Sequence, residues 1–331
     1  MTLHEIRTTP TGRKLLILFA AFAAVYVFWG STYLAIKYAI ETLPPLLMAG
    51  SRFLIAGTIL FVYAIFRKDR ERPTLAHWRT SFIVGTLLLL GGNGGVVLAG
   101  RYLPSSFAAL LIATEPLWIV VLSSLWLGYG RPSRKVVIGL VVGFVGVWLL
   151  VSGGSVANAT GGGGQWIGII AVILASLSWA AGSVYGLRGE APRSSALAAG
   201  MQMIAGSVSL LVVGLLRGEL ADLHPSAVSS SSLVGVGYLI IFGSLVGYTA
   251  YSWLLKNARP SVVATYAYVN PIVAVVLGWL IAGESMTPQM LIGAGVIVAS
   301  VILITSQHSP ESGDESMDIH TSCAPEATYS T

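Results

Sequence analysis

Ten stretches of this 331-residue chain are apolar for close to the thickness of a bilayer. A hydrocarbon core of about 30 Å takes about 20 helical residues to cross. The stretches run over 15–38, 45–66, 79–100, 105–128, 133–152, 166–187, 194–216, 231–255, 260–282 and 287–306. In lipid each backbone N–H and C=O must be satisfied within its own segment, so every stretch is expected as a helix. Pro45, Pro104, Pro132, Pro192, Pro260 and Pro288 stand at or near their starts, where a first helical turn has donors to spare. The chain is 55% hydrophobic and 10% charged, against about 25% charged in soluble domains. It cannot cover its surface in water. The expected fold class is therefore all-α, integral to a membrane, with ten transmembrane helices.

Lys and Arg fix the orientation. With the N-terminus cytoplasmic, fifteen fall on the inner side and three (Lys37, Arg101, Arg217) on the outer, with Arg52 left inside a span. Both termini are thus expected in the cytoplasm. The net charge of +5 is a topology signal rather than a nucleic-acid footprint. The first apolar stretch follows Arg13-Lys14 and reads as a retained anchor, not a cleavable signal. Cys323 is the sole cysteine, so no disulfide framework is expected. His4, His77, His224, His308 and His320 fall in loops or tails. No metal or cofactor is expected within the membrane.

One span carries a costly interruption. Ser105–Gly128 holds Glu115-Pro116 near its middle. A carboxylate at the centre of a bilayer helix costs about 2.5–3.5 kcal/mol even on the lenient insertion scale. A proline removes a donor and displaces the carbonyl four residues back, here that of Ile112. The pattern recurs 155 residues later, where Asn270-Pro271 occupies the same place in 260–283. Other correspondences are Trp29 with Trp179 and Gly50 with Gly200 at an offset of 150, Gly128 with Gly283 at 155, and Ile138-Gly139 with Ile292-Gly293 at 154.

The chain thus divides into a basic tail (1–14), a first repeat (15–152), a linker (153–165), a second repeat (166–306) and an acidic tail expected to be disordered (307–331). The run SGGSVANATGGGGQ at 152–165 carries no charge, and its Gly161–Gly164 is no phosphate loop because no Gly-Lys-Ser/Thr follows. Five helices per half force the second half to enter the membrane the other way up. Two inverted five-helix repeats around a central cavity are expected, with the site near midplane at their interface.

The motifs WGSTY (29–33), PPLLMAGSRF (44–53), LLLLGGNG (87–94), SWAAGSVYG (178–186) and ATYAYVNP (264–271) followed by Gly283-Glu284, in this order and spacing, resemble the EamA-type drug/metabolite transporter (DMT) superfamily. Within it the chain looks like the YedA-like exporters. The resemblance covers 15–306. It implies two inverted EamA repeats and export of small metabolites, amino acids or drugs across a bacterial inner membrane. It supplies no substrate and no set of functional residues.

The candidate residues follow from the sequence itself. Glu115 is the acidic residue deep in a span, suited to pair with a substrate amine or to carry a proton; the alternative is a structural carboxylate satisfied by backbone or by Arg52. Trp118 lies three residues on and offers a ring to a ligand or to packing. Asn270 is the counterpart of Glu115, and Tyr266 lies four residues before it. Pro116 and Pro271 free carbonyls or merely kink helices. Asn93 sits in GGNGG (91–95), where Gly92 and Gly94 allow close approach and soften the helix; Tyr248 is its counterpart, and Tyr251 and Ser244 share that face. Trp29 and Trp179 are expected as aromatic walls at the two mouths of a cavity, or as packing. Arg52 is expected to neutralise a carboxylate or to snorkel, and Lys37 with Glu41 to form a solvated pair.

A secondary transporter working by alternating access on a small-molecule substrate fits best, with proton coupling through Glu115. A passive facilitator is the alternative. A membrane enzyme is disfavoured: no HExxH occurs, and no His, Cys or aspartate pair lies in a span.

Overall fold

A computed structural model describes residues 12–67, 71–126, 134–152, 164–258 and 266–305. Residues 1–11 and 306–331, and 153–163 of the expected linker, lie outside the described residues. Among the described residues the chain forms ten apolar helices. They are α1 (12–39), α2 (Pro45–Phe66), α3 (Leu75–Ala99), α4 (Ser105–Trp126), α5 (Arg134–Ser152), α6 (Gln165–Gly186), α7 (Ser195–Leu216), α8 (230–257), α9 (Tyr266–Ala282) and α10 (Pro288–Thr305). Seven are long and apolar enough to span by length and composition, and shorter apolar helices lie in α5, α9 and α10.

Several ends are fixed by identifiable chemistry. The third stretch starts four residues before the expected 79, because Thr74 caps it: its Oγ1 accepts from His77 N at 3.1 Å, and His77 Nδ1 accepts from Thr74 N at 3.4 Å. α1 stops at Ala39, so Glu41 lies past its end and does not sit one turn above Lys37. The expected Lys37–Glu41 pair does not form. Lys37 instead reaches Glu284 at 2.9 Å, between α9 and α10.

The helices pair across the two halves in a reciprocal pattern. α2 packs on α7 and α5 on α10. α6 packs on α3 and α4, and its counterpart α1 packs on α8 and α9. Two carboxylates show that the halves are inverted. Glu219, just after α7, accepts from the N–H groups of Leu46 and Leu47 at the start of α2, at 2.9 and 3.0 Å. Glu71, after α2, accepts from Arg193 N and Ser194 N at the start of α7, at 2.7 and 3.3 Å. Each half thus satisfies the orphan donors at the head of the other half's second helix. This exchange is possible only if α2 and α7 run antiparallel.

Small residues set the contact distances. A Cβ on Gly57 would lie 2.7 Å from Met203 Cβ, and one on Gly200 would lie 2.8 Å from Phe61 N. Phe53, Met203 and Leu210 fill the seam beside them. Outward faces stay apolar. Ile55, Ile59 and Phe66 on α2, Trp148 on α5 and Val212 on α7 are exposed, as a lipid-facing surface requires.

Candidate functional site

The centre of the molecule departs from regular helix in both halves. α3 is wound as a π-helix over Thr86–Gly94 and α8 over Leu239–Val246, places that overlap at the offset of 155. α1 carries a shorter π segment, Val25–Trp29. Such widened turns re-aim side chains and recur at functional sites.

α4 breaks outright. Its first part ends at Ile112, a turn covers Ala113 and Thr114, and the helix restarts at Glu115. Pro116 is then second in a new helix, where a missing N–H costs nothing. The carbonyl of Ile112 accepts from Ser176 Oγ on α6 at 3.4 Å, and Thr114 Oγ1 bonds to Leu111 O at 2.7 Å. The expected matching interruption in α9 is absent: α9 stays helical through Pro271. With its amide turned to suit the carbonyls facing it, Asn270 donates to Tyr266 O at 3.3 Å and Tyr26 O at 3.2 Å.

These irregular segments enclose a cavity shared by the two repeats. Its volume is about 100 Å³. From the first half come Trp29, Thr32 and Tyr33 (α1), Arg52 and Phe53 (α2), Gly92 and Asn93 (α3), and Glu115 with Ile112 and Ala113 (α4). The second half adds Trp179 (α6), Ser244 and Tyr248 (α8), and Tyr266, Asn270 and Pro271 (α9). Glu115 is 5% exposed and accepts from Tyr266 Oη at 3.3 Å. Arg52 is 2% exposed and donates through Nη2 to Asn93 Oδ1 at 2.6 Å. It neither snorkels nor meets a carboxylate among the described residues. Its side chain is held instead by Asn93 and by the face of Phe53, 4.3 Å from the guanidinium carbon.

Trp29 and Trp179 do not stand at opposite mouths. They meet edge to face at 6.4 Å, on the same cavity. The reason lies in two glycines that correspond at 155. A Cβ on Gly92 would lie 2.8 Å from the Trp179 ring, and one on Gly247 would overlap the indole of Trp29. Each tryptophan seats on the opposite half's glycine. Trp29 also anchors an aromatic cluster, with Tyr251 at 5.0 Å, Tyr266 at 5.3 Å and Tyr248 at 6.0 Å, and donates to Gly243 O at 3.1 Å.

Four of the expected site residues lie off the cavity wall. Trp118 turns to Phe144 of α5, 5.7 Å away, and to Ala180 and Val184. Three residues fall about 60° short of a full turn, which carries Trp118 from the cavity to that seam. Tyr251 supports Trp29 from behind, Gly94 faces Leu210, and Pro116 is buried beside Glu115. The sequence reading did not select Tyr33, Thr32 or Arg52 for the site. Tyr33 was findable, since it lies one helical turn after Trp29 within WGSTY.

A clasp lies at one end of the cavity helices. Glu284 accepts from Ser105 N and Oγ at 2.9 and 2.8 Å, from Ser106 N and Oγ at 3.0 and 2.6 Å, and from Lys37 Nζ at 2.9 Å. It ties α1, the head of α4 and the α9–α10 loop together. Burial pushes its carboxyl upward, but the bonds from Ser106, Lys37 and Ser105 outweigh this and hold it down at about 2. Glu284 has no acidic counterpart after α4, where Tyr129 corresponds to it at the offset of 155.

The EamA-like transporter family model matches residues 15–152 and again 166–306. The chain belongs to the EamA-like transporter family. This EamA-like chain is 39% identical over 295 residues to a protein of Escherichia coli K12 named uncharacterised inner membrane transporter YedA, covering 88% of this chain and 92% of that one. It is 30% identical over 306 residues to the uncharacterised transporter YvbV of Bacillus subtilis, covering 91% and 94%. A solved crystal structure, 20% identical, shares the fold with a TM-score of 0.58 over 88% of this chain and 96% of that one. Family and fold together make this chain a membrane transporter of two EamA units.

Proposed function

We propose that the chain is a secondary exporter that moves a small polar solute by alternating access through the central cavity, with Glu115 as the coupling group. The observation that carries this reading is the position of Glu115: a buried carboxylate at a break in α4, on a cavity to which both inverted halves contribute. Inverted halves have two mirror-related arrangements of similar energy, one open to each side. Glu115 takes a proton and the solute in turn. A proton entering from one side displaces the solute toward the other, so competition for one carboxylate produces exchange.

In this reading residues 15–152 and 166–306 are the moving repeats, joined by the linker at 153–165, in a bacterial inner membrane with both termini cytoplasmic. The family and the YedA relative's name support this location. The Glu284 clasp then lies on the outer face, where it holds α1, α4 and α9 shut. Catalysis of a chemical step is not part of this function. Of the expected substrate contacts, Glu115, Asn270, Asn93, Tyr266, Tyr248, Trp29 and Trp179 are retained for substrate, and Gly92 and Pro271 as flexible wall.

The test is counterflow. Purified protein in liposomes is preloaded with unlabelled leucine, adenosine or ethidium, and uptake of the labelled form is measured. A carrier shows transient accumulation above equilibrium for its substrate. Equilibration without overshoot for a solute that does cross identifies a passive pathway and overturns alternating access.

A further inference from the structure

Two buried polar atoms on the cavity wall have no hydrogen-bond partner among the described residues. Arg52 donates through Nη2 to Asn93, and its Nε is buried without a bond. Ser244 Oγ, on α8, is also buried and unbonded. A guanidinium has five N–H donors in a planar fork that matches two anionic oxygens. A buried cation left without an anion is costly, and no described carboxylate lies within ion-pair range of Arg52. Glu115 is the complementary case. It is buried, accepts a single phenol bond, and faces no cation within ion-pair range among the described residues. Opposite charges therefore share one cavity without touching each other.

The rings of Trp29, Trp179, Tyr248 and Tyr266 line the same cavity. Aromatic faces hold an ammonium and an apolar framework equally well. A purely cationic solute satisfies Glu115 and leaves Arg52 stranded; an anion does the reverse. A molecule carrying both charges satisfies both and adds no net charge to the interior.

We propose that the cavity binds a small zwitterion, with Arg52 and Ser244 holding its anionic group and Glu115 with the surrounding rings holding its ammonium. This assignment rests on the transporter reading of the same cavity. It makes Arg52 the specificity residue for the anion, and Asn93 its positioning residue.

Matched probes test it. Leucine, 3-methylbutylamine and 4-methylpentanoate share one framework and differ only in charge. Phenylalanine, phenethylamine and 3-phenylpropanoate form a second set, and an aminoalkyl phosphate tests phosphate against carboxylate. Binding to purified protein in detergent is measured by calorimetry, and counterflow in liposomes. In at least one set the zwitterion binds about tenfold or more tighter than either single-charge analogue, the usual scale for one charge-assisted bond. Arg52→Gln brings the zwitterion down to the level of its amine, and Arg52→Lys restores part of the loss.

Asn93→Asp guards against a variant that merely fails to fold. It places a fixed carboxylate against Arg52, and the preference inverts so that the amine binds better than the zwitterion. Amines or uncharged solutes binding as well as the zwitterions, no binding by any zwitterion, or an unchanged ranking in Asn93→Asp overturns the assignment. Counterflow of an amine alone leaves the carrier reading standing and removes the zwitterion. Zwitterion binding with no counterflow does the opposite.

Discussion

Removing the charge of Glu284 should open the outer end of the cavity. In Glu284→Gln the side chain keeps one oxygen. The two bonds from Ser106, at 3.0 and 2.6 Å, lose their acceptor, at about 1 kcal/mol each. The Ser105 and Lys37 bonds keep an oxygen but lose the charge. Lys37 is 35% exposed, so screening limits its part, and these bonds together account for about 1 kcal/mol. The closed arrangement is thus weakened by about 3 kcal/mol, or about 150-fold in the equilibrium.

The assay places a cysteine at Thr32, on the cavity wall, in a Cys323→Ser background. A membrane-impermeant maleimide is then added outside intact cells. Labelling should rise by at least about tenfold in Glu284→Gln, the shift being capped once opening is no longer limiting. Glu219→Gln is the control. It takes the charge from the acceptor that caps α2 without touching α1, α4 or α9, so it lowers thermal stability and leaves labelling low. Unchanged labelling in Glu284→Gln, or an equal rise in Glu219→Gln, refutes the clasp as the outer gate.

Two further outcomes follow from the same geometry. The clasp should resist acid: a carboxyl held at about 2, below its unfolded value of about 4.3, gives its full stabilisation above that value and loses it as pH falls through about 2, so Thr32→Cys labelling, taken as a ratio to the Thr32→Cys/Glu284→Gln variant at the same pH to cancel the thiol's own titration, stays constant from external pH 8 to 5. Gly92→Ala puts a methyl 2.8 Å from the Trp179 ring; overpacking of this kind costs about 1–3 kcal/mol, read as a lower melting temperature together with slower transport, and a variant as stable and active as wild type contradicts the tryptophan-on-glycine seating.

The spans were legible because bilayer thickness fixes length and lipid enforces helix. The second stretch, 45–66, matches Pro45–Phe66. The repeat was legible through a few residues such as Pro116 and Pro271, which correspond at the offset of 155. Contacts between distant spans were not legible. Arg52 reaches a residue 41 positions away and Lys37 one 247 away, and no periodicity encodes which span faces which. Trp118 shows a finer limit. Sharing a face with Glu115 to within about 60° does not suffice, because that offset carries the ring to the seam with Phe144, Ala180 and Val184. The interruption also fell unevenly, with α4 broken at Ala113–Thr114 and α9 continuous, although both carry the same proline. The broken half has Ser176 and Thr114 to satisfy the freed backbone, and those hydroxyls come from residues that no motif marked.

The central claim is that Glu115 joins proton movement to solute movement in a cavity shared by both repeats. Its most direct test is solute flux into proteoliposomes under an imposed pH gradient, comparing wild type with Glu115→Gln, using whichever probe shows counterflow. Wild type should accumulate the solute against its gradient when pH drives it. Glu115→Gln should lose that response entirely, whatever exchange it retains. A mutant that keeps full gradient-driven accumulation contradicts the account.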